Sequence, residues 1–448
     1  MQTLIKNGKI LLSDKDNFKI ATGDIVLEDQ YIKKIILDSN TDAKNTIDEK
    51  TADKVIDASN SLIMPGLINA HTHAYMSIFK NFADDLEFFD WLHNVEVVED
   101  QMTADECYWT SLLAIIEMIR TGTTCFVDMC VRNSIKGVKS GPEGSVSGAV
   151  RDSGIRAFLG RGLVGEASDK EAWRRINEFM TDVKLNNDCD RLQFILGPHA
   201  PYSCPQSLLK EITKIGQENN LMATIHISES EAEMEGIAAS NNGITPVKFV
   251  ADSGLFDLPT IAAHLVNATD DDIKILKENN VSAAINPRSN MKLGNGFAPV
   301  KKFLDAGLNI CLGTDGNGSN NTQNMFQEMQ FASLIYKGAE KKARCIDTKD
   351  VLQFATLNGA KAVKMENKIG EIKEGALADI IILDLNVPEF IPENNLVSAL
   401  CYSANGSEVK TTIVDGQIIM EDKKLLTIDE QKVYQECTKI AKRLGMTK

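Results

Sequence analysis

Eight short apolar runs, each followed by a longer amphipathic stretch, constrain this chain more than any other feature. They are SLIMPGLINAHTH (61–73), TTCFVDM (123–129), RAFLGRGL (156–163), QFILGPHA (193–200), MATIHISE (222–229), TIAAHLVN (260–267), VSAAINPRS (281–289) and NICLGTDG (309–316). Intervening stretches such as CYWTSLLAIIEMIRTG and PQSLLKEITKIGQENN place apolar residues at helical spacing and stop at Gly or Asn. Repeated strand–helix units demand right-handed crossovers and a parallel sheet. Eight of them predict a closed (β/α)8 barrel of the TIM type. An open doubly wound sheet should show GxGxxG after its first strand, and this chain has none there.

The two ends read as β-structure. GDIVLEDQYIKKIIL and KVIDASNSLIM near the start, and GALADIIILDL (375–385) and TTIVDGQIIMED (411–422) near the end, set branched residues between turn formers. Asp415-Gly416 invites a tight hairpin. Neither end is large enough to hold a core alone, so the expectation is one small β-sandwich built from both. The domains are then 1–60 and 363–448, the latter with the terminal helix DEQKVYQECTKIAKRLG, around a catalytic barrel at 61–362. A length of 448 residues suits that arrangement.

The polar residues inside the runs fall at one end of each. His71 and His73 close the first run, His199 the fourth and His226 the fifth; His264 lies near the end of the sixth and Asp315 ends the eighth. Barrel enzymes build their sites at the C-terminal face of the strands. Five of the six histidines therefore converge on one mouth. Residues two apart on a strand share a side, so His71 and His73 can both face inward. With His226 and Asp315 they make a mixed nitrogen and oxygen set with room for a water, as catalytic Zn2+ or Fe2+ requires. The Gly-rich TDGNGSNN is not followed by the lysine of a phosphate loop.

Composition excludes other classes. A net charge of −15, spread through the chain, argues against nucleic-acid or anionic membrane surfaces as partners. No apolar stretch is long enough to span a bilayer, and MQTLIKNGKILLSDKDNF has no signal-peptide core. Nine scattered cysteines without a CxxC pair read as reduced thiols. The expectation is a cytoplasmic protein.

The segments PGLINAHTHAYM, GPHAPYS, TIHISES, AAHLVN, NPRSNMKLGNGFAPV and LGTDGNGSNN resemble, in this order, the amidohydrolase superfamily. More narrowly, they resemble its branch of 5′-methylthioadenosine/S-adenosylhomocysteine deaminases, close to the N-ethylammeline chlorohydrolase-like enzymes. That resemblance implies a metal-dependent hydrolase barrel holding one divalent cation, Zn2+ foremost and Fe2+ second, on His71, His73, His226 and Asp315. It implies a nucleoside substrate, loss of ammonia from its adenine ring, and a homo-oligomer. His264 would orient and deprotonate a water, Asp315 would share the proton, and Glu229 would protonate a ring nitrogen. Binuclear relatives use a carboxylated lysine in the fourth run; this chain has His199 there, which favours one metal and makes His199 a candidate donor to substrate. Glu99 matches a residue that binds the ribose hydroxyls, with Glu96 as the lesser match. Arg161 matches an arginine that meets the substrate's distal end; a second should follow, but Lys170, Arg174 and Arg175 do not align with it, which leaves methylthioadenosine or another 5′-modified adenosine as much expected as S-adenosylhomocysteine.

Other residues carry blander expectations. Glu231 and Glu233 read as solvated charge, His93 as an ordinary histidine, and Ser319 as a structural turn or a contact to the base. Asn267 and Ile285 stand where relatives often have histidines. Deaminases or chlorohydrolases of guanine, pterins or triazines would share the metal motifs. A non-catalytic assembly barrel should have lost ligands that this chain retains.

Overall fold

A computed structural model describes residues 1–14, 17–39, 52–130, 140–185 and 188–446. All eight runs form strands of one parallel sheet. These are Leu67–Thr72, Thr123–Cys130, Arg156–Leu163, Leu192–Pro198, Ala223–Ile227, Thr260–His264, Ser282–Ile285 and Asn309–Leu312, neighbours in chain order. The cylinder closes between the last and first strands, where Asp315 N–H donates to the His71 carbonyl at 2.9 Å. A buried apolar cluster links Cys125, Phe158, Ile195, Ile261, Ala284 and Cys311 across the sheet, as in barrels filled by side chains.

The first run divides at Gly66. Ser61–Pro65 belongs to the other sheet, and the barrel begins at Leu67. A Cβ at Gly66 would lie 2.0 Å from the Thr124 hydroxyl, so only glycine lets the chain pass from one sheet to the other there. Among the described residues the second sheet has nine strands, drawn from both ends of the chain. Ser61–Pro65 joins those ends, running parallel to Gln2–Asp14 and antiparallel to Ile380–Asp384. Ile5, Ile25, Ile63, Ile380 and Ile413 form a core of its own. The hairpin between Val409–Val414 and Gln417–Glu421 turns at Asp415-Gly416, whose φ values of 54° and 75° are those of a type I′ turn.

The two units are tied by charge as well as packing. Arg156, 1% exposed at the start of the third barrel strand, donates to Asp379 at 2.8 and 3.0 Å and to Asp415 at 3.0 Å. The terminal helix Glu430–Arg443 caps the helix Ala104–Arg120, with Arg120 donating twice to Glu430 at 2.8 and 2.6 Å. Among the described residues no helix is long and apolar enough to cross a membrane.

Candidate active site

Five histidine rings meet at the C-terminal ends of the barrel strands. Ring centroids of His71 lie 5.1 Å from His73, 4.8 Å from His226 and 5.4 Å from His264, and His199 lies 5.0 Å from His226. His93 is exposed and apart from them. The local chain is shaped for this approach. A Cβ at Gly313 would lie 2.8 Å from the His71 Cβ and 2.4 Å from the Asn286 amide oxygen, so the end of the eighth strand passes directly against the first.

Hydrogen bonds fix the tautomers. His73 Nδ1–H donates to the Met129 carbonyl at 2.6 Å, and His226 Nδ1–H donates to the His199 carbonyl at 2.7 Å. Each therefore presents an Nε2 lone pair, and these two atoms face each other at 3.1 Å. Two lone pairs so placed repel unless a cation lies between them. His71 Nε2 is buried without a hydrogen-bond partner, and the Asp315 Oδ1 lies 3.6 Å from it and 3.3 Å from His73 Nε2. Ligand atoms of His71, His73 and His226, and of His71, His264 and Asp315, lie within 4.8 Å of one another. Backbone-anchored imidazoles, an orphaned nitrogen and one carboxylate fit a divalent metal.

The electrostatics agree. Burial holds the His226 pKa well below that of a free imidazole, with the neighbouring histidines adding to the effect, and burial lowers His71 likewise. Both shifts favour the neutral imidazole, the form that binds a metal. Burial alone would raise the Asp315 pKa, but His71, His264 and His73 around it hold the carboxyl well below the usual range. Its second oxygen accepts from Ser289 at 2.6 Å and from Ser319 at 2.8 Å. Ser319 thus grips Asp315 from its own turn.

His264 and Glu229 stand beside this set. Burial takes the His264 pKa down to about 4, against the opposing pull of Asp315. Its Nδ1–H donates to the Asn290 amide oxygen at 2.8 Å, leaving Nε2 as a free base aimed inward, 3.6 Å from Glu229 Oε2. Glu229 is 5% exposed, and burial, reinforced by Asp315 and Glu233, pushes its pKa well above an ordinary carboxylate. Burial thus favours its protonated form. Asn295 donates to its Oε1 at 3.1 Å, and Asn267 donates to its backbone carbonyl at 3.2 Å.

Glu233 departs from its expected place in solvent. Glu231 is exposed, but Glu233 is 1% exposed and accepts the backbone N–H groups of Ser228 at 3.1 Å and Glu229 at 2.8 Å. The side chain turns back from the first turn of the helix Glu231–Ser240 to satisfy donors that the turn after His226 would otherwise bury unpaired. Three further residues carried no role in the sequence reading: Ser289, Asn290 and Asn295 all belong to NPRSNMKLGNG. Each holds a different group, Asp315, His264 and Glu229 respectively. Their polar character just after the seventh barrel strand was the available signal.

The cavity next to the metal set is walled by Tyr75, Phe88, Trp91 and Tyr202, with Glu96, Glu99 and His199 at its sides. Glu99 is 3% exposed and accepts from Tyr75 Oη at 2.5 Å. His199 Nδ1 shares a hydrogen bond of 2.9 Å with Ser203 Oγ. Arg161 does not line this cavity. It is 2% exposed at the end of the third strand, paired in register with Cys130, and its Nε and Nη1 have no hydrogen-bond partner. Lys170 and Arg174 are exposed, whereas Arg175 is buried and donates to the Gly162 carbonyl beside Arg161 at 3.3 Å. Ile285 is fully buried in the core. A larger cavity of about 920 Å³ lies at the opposite end of the barrel, bordered by Arg156, Met222 and Pro259, and contains none of the metal set.

Comparison with known proteins places these features in a family. Residues 62–419 match the model of the amidohydrolase family. The chain is 41% identical, over 99% of both chains, to a 5-methylthioadenosine/S-adenosylhomocysteine deaminase of Thermoanaerobacter pseudethanolicus. It is 39% identical, over 98% of both, to a 5′-deoxyadenosine deaminase of Methanosarcina mazei. Its fold superposes on a zinc-bound adenosine deaminase of Xanthomonas campestris with a TM-score of 0.90, at 24% identity over 99% of both chains. With its metal-binding cluster at the mouth of an eight-stranded barrel, the chain belongs to the amidohydrolase family.

Proposed function

We propose that this chain hydrolytically deaminates 5′-modified adenosines, 5′-methylthioadenosine and S-adenosylhomocysteine foremost, to the inosyl products and ammonia. The observation that carries this reading is the buried carboxyl of Glu229, 3.6 Å from the buried Nε2 of His264, against the cluster of His71, His73, His226 and Asp315. A single divalent cation, Zn2+ foremost, on His71, His73, His226 and Asp315 would supply the Lewis acidity that lets a water lose a proton near neutral pH.

The protein's own groups do the rest. His264 Nε2 takes a proton from the attacking water, with its tautomer held by Asn290. Glu229 gives its proton to a ring nitrogen of adenine, which drains electron density from the amine-bearing carbon as the water oxygen adds there. Asp315 relays a proton to the departing amine. Overall the water supplies two protons, one for the ring and one for ammonia. His199, at the side of the cavity, is placed to donate to the substrate.

The names of the relatives support adenine nucleosides as substrates. Glu99, a buried carboxylate on the cavity wall, suits a pair of ribose hydroxyls. Arg161, buried at the end of the third strand, and Arg175, which donates to the neighbouring Gly162 carbonyl, are guanidinium groups suited to an anionic distal group such as the carboxylate of S-adenosylhomocysteine. Glu99→Ala is expected to lower kcat/KM for nucleosides about 10- to 100-fold, as loss of hydrogen bonds to a charged group does, and to leave any turnover of free adenine unchanged. Equal losses on both would remove the ribose assignment. The direct test follows ultraviolet absorbance with methylthioadenosine, S-adenosylhomocysteine, adenosine and guanine in parallel. The 5′-modified adenosines should shift to the hypoxanthine spectrum fastest; guanine as the best substrate would point to a different ring.

A further inference from the structure

We propose that Asn295 decides which oxygen of Glu229 carries the acid proton, and is a positioning residue for its delivery to the ring. The inference rests on the reading of Glu229 as the acid and deepens it. Asn295 Nδ2–H donates to Oε1 at 3.1 Å, the one hydrogen bond to this carboxyl among the described residues. The carbonyl oxygen of a protonated carboxyl accepts an N–H better than its hydroxyl oxygen does, so the donor on Oε1 favours the O–H on Oε2. That oxygen is the one on the His264 side, 3.6 Å from Nε2, where the substrate ring must come. A protonated carboxyl without such a partner distributes its proton over both oxygens and presents the wrong one for part of the time.

The surrounding chain is built to hold this contact. The helix Pro287–Lys292 ends with Gly294 at φ 69°. There Gly294 N–H bonds to the Met291 carbonyl at 3.1 Å and Asn295 N–H to the Asn290 carbonyl at 2.8 Å. This pair of bonds is a Schellman motif, which sets where the Asn295 side chain starts. Asn290, whose carbonyl closes the motif, also holds His264. The backbone of Glu229 is secured separately, by Glu233 and Asn267. Asn295 therefore acts on the carboxyl and not on the loop that bears it. When the proton leaves Oε2, the ring nitrogen lone pair forms the new N–H bond and the O–H pair stays on Glu229. The Asn295 dipole then faces a carboxylate, and a proton from the water restores the acid for the next turnover.

The test compares zinc-loaded wild type with Asn295→Ala, Asn295→Asp, Glu229→Gln and the Glu229→Gln/Asn295→Ala double variant on methylthioadenosine, recording kcat, KM, zinc content and Tm. Asn295→Ala should lower kcat about 10- to 100-fold, the effect of a lost hydrogen bond to a group that becomes charged, with KM and zinc content unchanged. Asn295→Asp, nearly the same shape, should be at least as damaging because it offers an acceptor where a donor is needed. Asn295→Ala should cost nothing further in the Glu229→Gln background. The inference is overturned if Asn295→Ala keeps its kcat, if Asn295→Asp behaves like wild type, or if the losses multiply in the double variant. A wild type inactive on every aminated purine would instead overturn the acid reading of Glu229, and this inference with it.

Discussion

Asp315→Asn is expected to abolish metal binding and activity together. Asp315 is the only carboxylate among the four proposed ligands, and the histidines around it keep it ionised despite full burial. Asparagine preserves the shape and can still accept from Ser289 and Ser319, but it contributes no negative charge. Losing an outer partner of a metal ligand already costs about 10- to 100-fold in affinity or activity, and losing the anionic ligand itself should cost more. Zinc measured by elemental analysis after gel filtration should fall with turnover, while the Tm of the metal-free protein stays close to that of metal-free wild type. His71→Ala should act in the same direction. Full turnover in either variant would remove these residues from the site.

Glu229→Gln separates chemistry from metal binding. Glutamine can hold the same position and accept from Asn295, but it has no acidic proton. The variant should keep its zinc and its KM while kcat falls by about 100- to 10,000-fold, the range for general acid catalysis. The sign of the pH dependence follows from burial. Glu229 is held protonated well past the usual carboxylate range, so the wild-type rate should fall as pH rises through its elevated pKa, and that descending limb should be missing in the variant. An unchanged rate would take the acid role from Glu229.

Much of this architecture is legible in the chain itself. Each apolar run is short and followed by an amphipathic stretch, and most carry a His or Asp near their C-terminal end, so period and position together specify strands with a common mouth. His71, His73, His226, His264 and Asp315 could be brought together from that pattern alone, since all sit at the same end of their strands. The division at Gly66 was not legible, because Ser61–Pro65 and the start of Leu67–Thr72 read as one apolar run and both strands are buried throughout; only the Thr124 side chain shows why the chain changes sheet there.

The supporting residues were hidden for a different reason. Ser289 reaches Asp315, Asn290 reaches His264 and Asn295 reaches Glu229 across sequence gaps of 26, 26 and 66 residues. Periodicity says nothing about such pairs. Glu233 was obscured by its neighbours, since a buried carboxylate that binds two backbone N–H groups looks the same in an acidic run as a solvated one. Arg161 shows the limit of strand ends as a guide. It ends its strand as the histidines end theirs, yet it does not line the cavity beside them.

The most direct measurement is a zinc titration of metal-stripped protein, with ammonia release from methylthioadenosine followed at each step. One cation on His71, His73, His226 and Asp315 predicts activity that rises in proportion to added zinc and levels off at about one equivalent per chain. A plateau at two equivalents, or no ammonia from any aminated purine at any loading, would contradict it.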